Sequence, residues 1–219
     1  MKIDQRIANL ANLLHLDLSV NCILYLPEEV GLLSNLEFLD VSDNQIKEVG
    51  ASIWGLSHLH TLRFRQNHIS KLSDRLGSLT SLQELNFSNN ELCSIPETIT
   101  QLTSLEKIDL SGNILVEIPD LIAFTNLRVL HLASNRFSSV PSLCFNLELE
   151  DLDLESNLLE CMPAMATTYP NLKRVVFAGL LAFIHLDFAG KMSYMQHALT
   201  LIFCLDCPCF DLFAFQAIE

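Results

Sequence analysis

Residues 82–104 read LQELNFSNNELCSIPETITQLTS. Leu85 and Phe87 stand two apart, so both fall on one face of a short extended strand, while Glu84, Asn86 and Ser88 fall on the other. Asn90 follows the strand, and Leu92, Ile95, Ile99 and Leu102 carry the apolar series on toward the next unit. The same series recurs along the chain, opening at Leu13, Leu36, Leu59, Leu82, Leu105, Leu127, Leu149 and Leu172. The interval is 23 residues and shortens to 22 after Leu105 and after Leu127. No unit of this length buries its own apolar side, so the units must stack into one continuous core.

The shared pattern is L-x-x-L-x-L-x-x-N-x-L, the leucine-rich-repeat signature. Its paired positions are Leu16/Leu18, Leu39/Val41, Leu62/Phe64, Leu85/Phe87, Ile108/Leu110, Leu130/Leu132 and Leu152/Leu154. The expected fold is an α/β solenoid, a leucine-rich-repeat horseshoe with one parallel concave sheet and 3-10, short-helix or irregular convex segments. Asn21, Asn44, Asn67, Asn90, Asn113, Asn135 and Asn157 share one position. A short amide there bonds the backbone where the chain turns out of the strand, which makes a structural asparagine ladder. Proline follows an apolar residue in Leu26-Pro27, Ile95-Pro96, Ile118-Pro119, Val140-Pro141 and Met162-Pro163, holding the chain extended as it leaves the loop. The two shortened units, from Leu105 and Leu127, are expected to have less regular convex segments.

At 219 residues the chain holds one domain, at most two. Lys and Arg total 13 against 26 Asp and Glu, a formal net charge of -13. That balance argues against a general nucleic-acid binder and against an anionic membrane surface as the main partner. The first residues have no long apolar core of a secretory signal. The seven cysteines are scattered and odd in number, which fits a reducing compartment better than a disulfide framework.

Residues 1–176 read as the repeat array, about seven full repeats with a partial one before them and the start of an eighth. Ile3, Ile7 and Leu10 stand in register with Leu26, Val30 and Leu33, so the sequence opens midway through a repeat, as in a fragment, an internally initiated isoform or an incomplete gene model. Residues 177–219 form an atypical apolar tail. Leu180 stands where asparagine belongs, and Phe183, Phe188, Phe203, Phe210, Phe213 and Phe215 follow. Three readings stand open: a closing element over the last coil, a poorly folded or aggregation-prone stretch added by alternative splicing or misannotated coding sequence, and a membrane segment. The charge-free run from Met192 to Leu205 is shorter than the roughly 20 residues needed to span a bilayer. Cys204, Cys207 and Cys209, with His197 as a formal fourth ligand, lack a second C-x-x-C, and no metal site is assigned.

The sequence resembles intracellular leucine-rich-repeat proteins of the 23-residue type, the group that includes Scribble, erbin and the Ras suppressor-like proteins. The matching text is LEFLDVSDNQIKEV (36–49), residues 82–105 and LEKIDLSGNILVEIP (105–119), within a match from Leu10 to Phe177. The L-x-G-x-I-P of plant-type units is absent. The resemblance implies a cytoplasmic scaffold that docks a protein partner on its concave sheet, in small-GTPase signalling or cell polarity.

Function in such a solenoid falls on the residues between the core leucines. The candidates on the concave face are Asp17, Phe38, Asp40, His60, Arg63, Arg65, Glu84, Asn86, Glu106, Asp109, Arg128, His131, Asp153 and Glu155. Arg63 and Arg65 form a basic island in an acidic surface, with Asp40 and Glu84 placed to offset it, or with a partner's carboxylate received between them. Phe38, if exposed beside them, is an aromatic anchor. The acids Asp17, Asp40, Asp109, Asp153 and Glu155 attract a basic partner segment.

Catalysis is not expected. His15, His58, His60, His68, His131, His185 and His197 share no recurring Ser or Asp partner, and no phosphate-loop, dinucleotide or zinc-protease motif occurs. No cofactor is implied. The expected function is a non-catalytic protein-interaction module or scaffold in intracellular signalling, binding no nucleic acid, with membrane contact confined to the tail. The alternatives are a truncated isoform without independent function and an extracellular receptor-like ectodomain.

Overall fold

The computed structural model describes residues 3–139, 148–159, 171–179 and 182–187. Each unit opens with a three-residue strand: β1 (His15–Asp17), β2 (Phe38–Asp40), β3 (Thr61–Arg63), β4 (Glu84–Asn86), β5 (Lys107–Asp109), β6 (Val129–His131) and β7 (Asp151–Asp153). Two longer strands follow, β8 (Arg174–Gly179) and β9 (Ala182–Asp187). The strands lie in chain order in one sheet; β1 to β8 run parallel and β9 returns antiparallel to β8. Leu16, Leu39, Leu62, Leu85, Ile108, Leu130, Leu152 and Val175 align across it, one per strand.

The spacing of two places the paired positions in the core as expected. From Leu39/Val41 to Leu152/Leu154 both members of each pair are buried. Phe64 and Phe87 replace leucine in neighbouring units and stack with centroids 5.2 Å apart, adding about 1 kcal/mol beyond their burial. Leu16 and Leu18 are only half-buried, because among the described residues β1 is flanked by a strand on the β2 side alone.

The asparagines turn the chain out of the strand by a repeated set of bonds. Asn90 donates from Nδ2 to the carbonyls of Phe87 (3.1 Å), Ser88 (3.2 Å) and, in the preceding unit, Phe64 (2.9 Å). Its Oδ1 accepts the Ile69 N–H at 3.0 Å. Asn44, Asn67, Asn113, Asn135 and Asn157 repeat this arrangement. The residue before each asparagine lies in the left-handed region, from Val20 (φ 55) through Asp43, Gln66, Asn89, Gly112, Ser134 and Ser156.

The convex side is built of single 3-10 turns, Glu28–Leu32, Ala51–Gly55, Asp74–Ser78 and Glu97–Gln101. In the shortened Leu105 unit the turn contracts to Leu121–Ala123, as the missing residue requires. Close stacking of these turns leaves no room for side chains at Gly31 against Ser52 and at Gly77 against Thr98.

β8 crosses the expected boundary between 176 and 177. The strand runs on to Gly179, and β9 pairs back along it. Val140-Pro141, Met162-Pro163, the convex segment of the Leu127 unit, Cys144, Cys161 and the tail from residue 188, with Cys204, Cys207, Cys209 and His197, lie outside the described residues. Among the described residues no helix is long and apolar enough to cross a membrane.

Candidate protein-interaction face

Alternation along each strand aims its first and third residues at the concave side. The first column is His15, Phe38, Thr61, Glu84, Lys107, Val129, Asp151 and Arg174; the second is Asp17, Asp40, Arg63, Asn86, Asp109, His131 and Asp153. A third, two residues further, holds Ser19, Ser42, Arg65, Ser88, Ser111, Ala133 and Glu155. Of the candidates, His60, Glu106 and Arg128 stand one residue ahead of the strands, outside these columns. Their carbonyls each accept two N–H groups of the next unit, those of Gln83 and Glu84 on His60 at 2.8 and 2.9 Å for example.

Arg63 is held in a chain of contacts across four strands. Its guanidinium donates to Glu84 through Nε (3.1 Å) and Nη2 (2.9 Å), and Nη1 lies 3.7 Å from Asp40. Lys107 Nζ meets the same Glu84 at 3.3 Å. The Glu84 bond, with the nearby Glu84 and Asp40 charges, raises the Arg63 pKa above the ordinary arginine value despite partial burial. Burial alone would push Glu84 upward; the Arg63 hydrogen bond and the Lys107 and Arg63 charges outweigh it and hold the carboxyl below its usual range.

Phe38 is not the open anchor that the sequence suggests. His15 stacks on one side with its ring nearly parallel and centroids 3.9 Å apart, and the Arg63 guanidinium lies 5.2 Å from the ring centroid. The ring is thereby a spacer that carries the cation.

The acidic column is likewise less free than expected. Oδ1 of Asp17, Asp40, Asp109 and Asp153 accepts the backbone N–H two residues on, from Ser19 (2.9 Å), Ser42 (2.8 Å), Ser111 (3.1 Å) and Glu155 (3.0 Å). Asn86 does the same for Ser88 at 2.9 Å. These are Asx turns, and the D-x-S spacing carried the signal. The backbone bond from Ser19, followed by its side chain, holds the Asp17 carboxyl below its usual range.

A second charged cluster, absent from the candidates apart from His131, Asp153 and Arg128, lies toward β8. Arg174 meets Asp151 at 2.8 Å and Asp153 at 3.5 Å, and His131 Nε2 lies 3.3 Å from Asp151 without hydrogen-bond alignment. On the flank Glu150 joins Lys173 (2.7 Å) and Arg128 (3.3 Å). These pairs sit 20 to 23 residues apart, so only the repeat register reveals them.

What stays open is limited. Arg65 is exposed and has no ion pair among the described residues, and the same holds for Glu106 and Glu155. Among the described residues no group of three or more His, Cys, Asp or Glu could hold a metal ion.

A family model described as leucine-rich repeat region matches residues 4–112. A second, the repeat portion of leucine-rich repeat and WD repeat-containing protein 1, matches residues 70–178. The chain is a leucine-rich-repeat protein. Its array is similar to a leucine-rich-repeat protein of Leptospira interrogans, with 30% identity and a TM-score of 0.74 over 80% of this chain and 47% of that one. A plant peptide hormone receptor in complex with RGF2 is 27% identical, with a TM-score of 0.63 over 81% and 34% of the two chains. The ectodomain of the Arabidopsis thaliana receptor kinase GASSHO1/SCHENGEN3 shares the fold, at 22% identity and a TM-score of 0.67 over 81% and 25%. The chain thus spans about half or less of each of these structures. Curated protein sequences gave no match. Leucine-rich-repeat arrays are generally protein-binding modules.

Proposed function

We propose that this leucine-rich-repeat chain is a non-catalytic interaction module of the cytoplasm, a scaffold in intracellular signalling that binds a partner protein on its concave sheet. The observation that carries this reading is Arg65. It projects from the third column beside Arg63, whose own charge Glu84 and Asp40 already meet. Arg65 is therefore the cation left to receive a carboxylate from a partner, with the Arg63 guanidinium fixed next to it. Glu106 and Glu155, also without ion pairs among the described residues, attract a basic segment of the same partner. The similarity to a peptide hormone receptor bound to RGF2 supports a protein or peptide ligand.

The test is affinity capture from a cell lysate by the full chain, with mass-spectrometric readout, against Arg65→Glu and the pair Glu106→Lys, Glu155→Lys. A protein lost from one or both variants, with circular dichroism unchanged, supports the concave site. An identical captured set for all three sinks it.

The same similarity supports a second reading, a receptor-like ectodomain. The exposed free thiol of Cys93 favours a reducing compartment instead. Fractionation of cells expressing a tagged chain separates the two.

A further inference from the structure

The second and third units depart from their neighbours at two convex positions. Where the first, fourth and fifth units carry Pro27, Pro96 and Pro119, these two carry Gly50 and Ser73, which lack the pyrrolidine ring. Trp54 stands where the units on either side have Gly31 and Gly77. Those glycines let their turns close on the following ones, Gly31 against Ser52 and Gly77 against Thr98. With an indole at the equivalent position, the turn Ala51–Gly55 packs less closely on Asp74–Ser78 than the flanking turns pack on theirs. The Ser78 hydroxyl, which donates to the Trp54 carbonyl, ties the two turns across the gap. Beside them a cleft of about 400 Å³ opens between the two units, away from the concave columns. Trp54 and Leu72, both buried, give it an apolar base, and the exposed Lys47, Glu48, Lys71 and Asp74 line it as well.

We propose that this cleft is a docking site for a short segment of a partner protein that carries acidic and basic side chains around one apolar residue. Charge complementarity sets that chemistry. Among the described residues none of Lys47, Glu48, Lys71 and Asp74 has an ion pair, although both signs line one opening. On the concave sheet, by contrast, Arg63, Glu84 and Lys107 meet one another. A ligand of one sign would be repelled by half of the charges in the cleft, whereas a segment with both signs can pair with each. Exposed ion pairs contribute little singly, so an apolar side chain against Trp54 and Leu72 supplies the rest. The volume is at the low end for ligand cavities and admits a few residues, not a folded domain.

The probe is the synthetic peptide acetyl-EELKK-amide, titrated into the full chain and followed by the emission of Trp54, the chain's one tryptophan. A saturable change is expected, with acetyl-EELEE-amide, acetyl-KKLKK-amide and acetyl-EEGKK-amide each about tenfold weaker. In the chain, the pair Lys47→Glu and Lys71→Glu makes the cleft wholly acidic. It should weaken acetyl-EELKK-amide about tenfold and turn the preference toward acetyl-KKLKK-amide. No saturable change in Trp54 emission, equal binding of all four peptides, or an unaltered preference in the folded double variant overturns the proposal. So does inorganic phosphate that saturates the same change and displaces the peptide at lower concentration, which would assign the two lysines to a phosphoryl ligand. The peptide comparisons leave the chain untouched, so the outcome does not hinge on the fold of a variant.

Discussion

Arg63 on β3 donates two hydrogen bonds to Glu84 on β4, at 3.1 and 2.9 Å, and the two residues are 21 positions apart, one repeat of 23 less the strand offset of two. Glu84→Gln should destabilise the protein by about 1 kcal/mol at neutral pH, the partial exposure of Arg63 keeping the cost below that of a fully buried pair. Because the folded-state pKa of Glu84 is depressed, its contribution is present above the ordinary glutamate value and is lost as pH falls through the folded one. The stability gap between wild type and Glu84→Gln should therefore close as urea melts are taken from neutral into acid pH. A gap that widens in acid would contradict the assigned pairing.

The asparagine ladder should be graded by position. Asn90 makes four bonds in a buried setting, and Asn90→Ala should cost about 3 kcal/mol by urea denaturation, since several backbone groups lose their partners at once. Asn21 is exposed and bonds only its own loop, and Asn21→Ala should cost about 1 kcal/mol or less. Equal losses would mean that the ladder does not act through the inter-unit bonds.

Val20 is a β-branched residue held at φ 55, where the other units place Asp, Gln, Asn, Gly or Ser. Val20→Asn should stabilise the chain by about 1 kcal/mol, because asparagine tolerates the left-handed region. Val20 is also 77% exposed, so little apolar burial is lost in exchange. A lower Tm for Val20→Asn would show that the side chain contributes more than its backbone strain.

A Cβ at Gly77 would lie 2.6 Å from the Thr98 carbonyl oxygen, a backbone atom in the next convex turn. Gly77→Ala should therefore cost about 1–3 kcal/mol through displacement of that turn. Gly55 has open space around the same point, and Gly55→Ala serves as the matched control with little or no loss.

The strands, the buried pairs and the asparagine position were legible because each depends on local spacing: two residues for a face, nine for the turn-out, 23 for the stack. Glu84 and Asp40 were readable as neighbours of Arg63 for the same reason. The Asx turns were equally local, written in Asp40-x-Ser42 and Asp109-x-Ser111, and reading those aspartates only as surface charge overlooked the backbone N–H two residues away. Phe38 was beyond reach. Nothing local shows that His15 and Arg63, one unit to either side, close over its faces.

What the sequence by itself determined is the repeat, its length and hence the register, since an apolar period of two inside a period of 23 has one way to bury its leucines. Only the tertiary structure decided which concave charges are spent and which are free. Two cations as near in sequence as Arg63 and Arg65 differ because one faces Glu84 across the sheet and the other faces solvent. It also decided where the parallel stack turns back. At β8 the strand runs on to Gly179 and pairs with the antiparallel β9. Side-chain pairing and edge closure depend on neighbours a full repeat away, and a single unit carries no record of them.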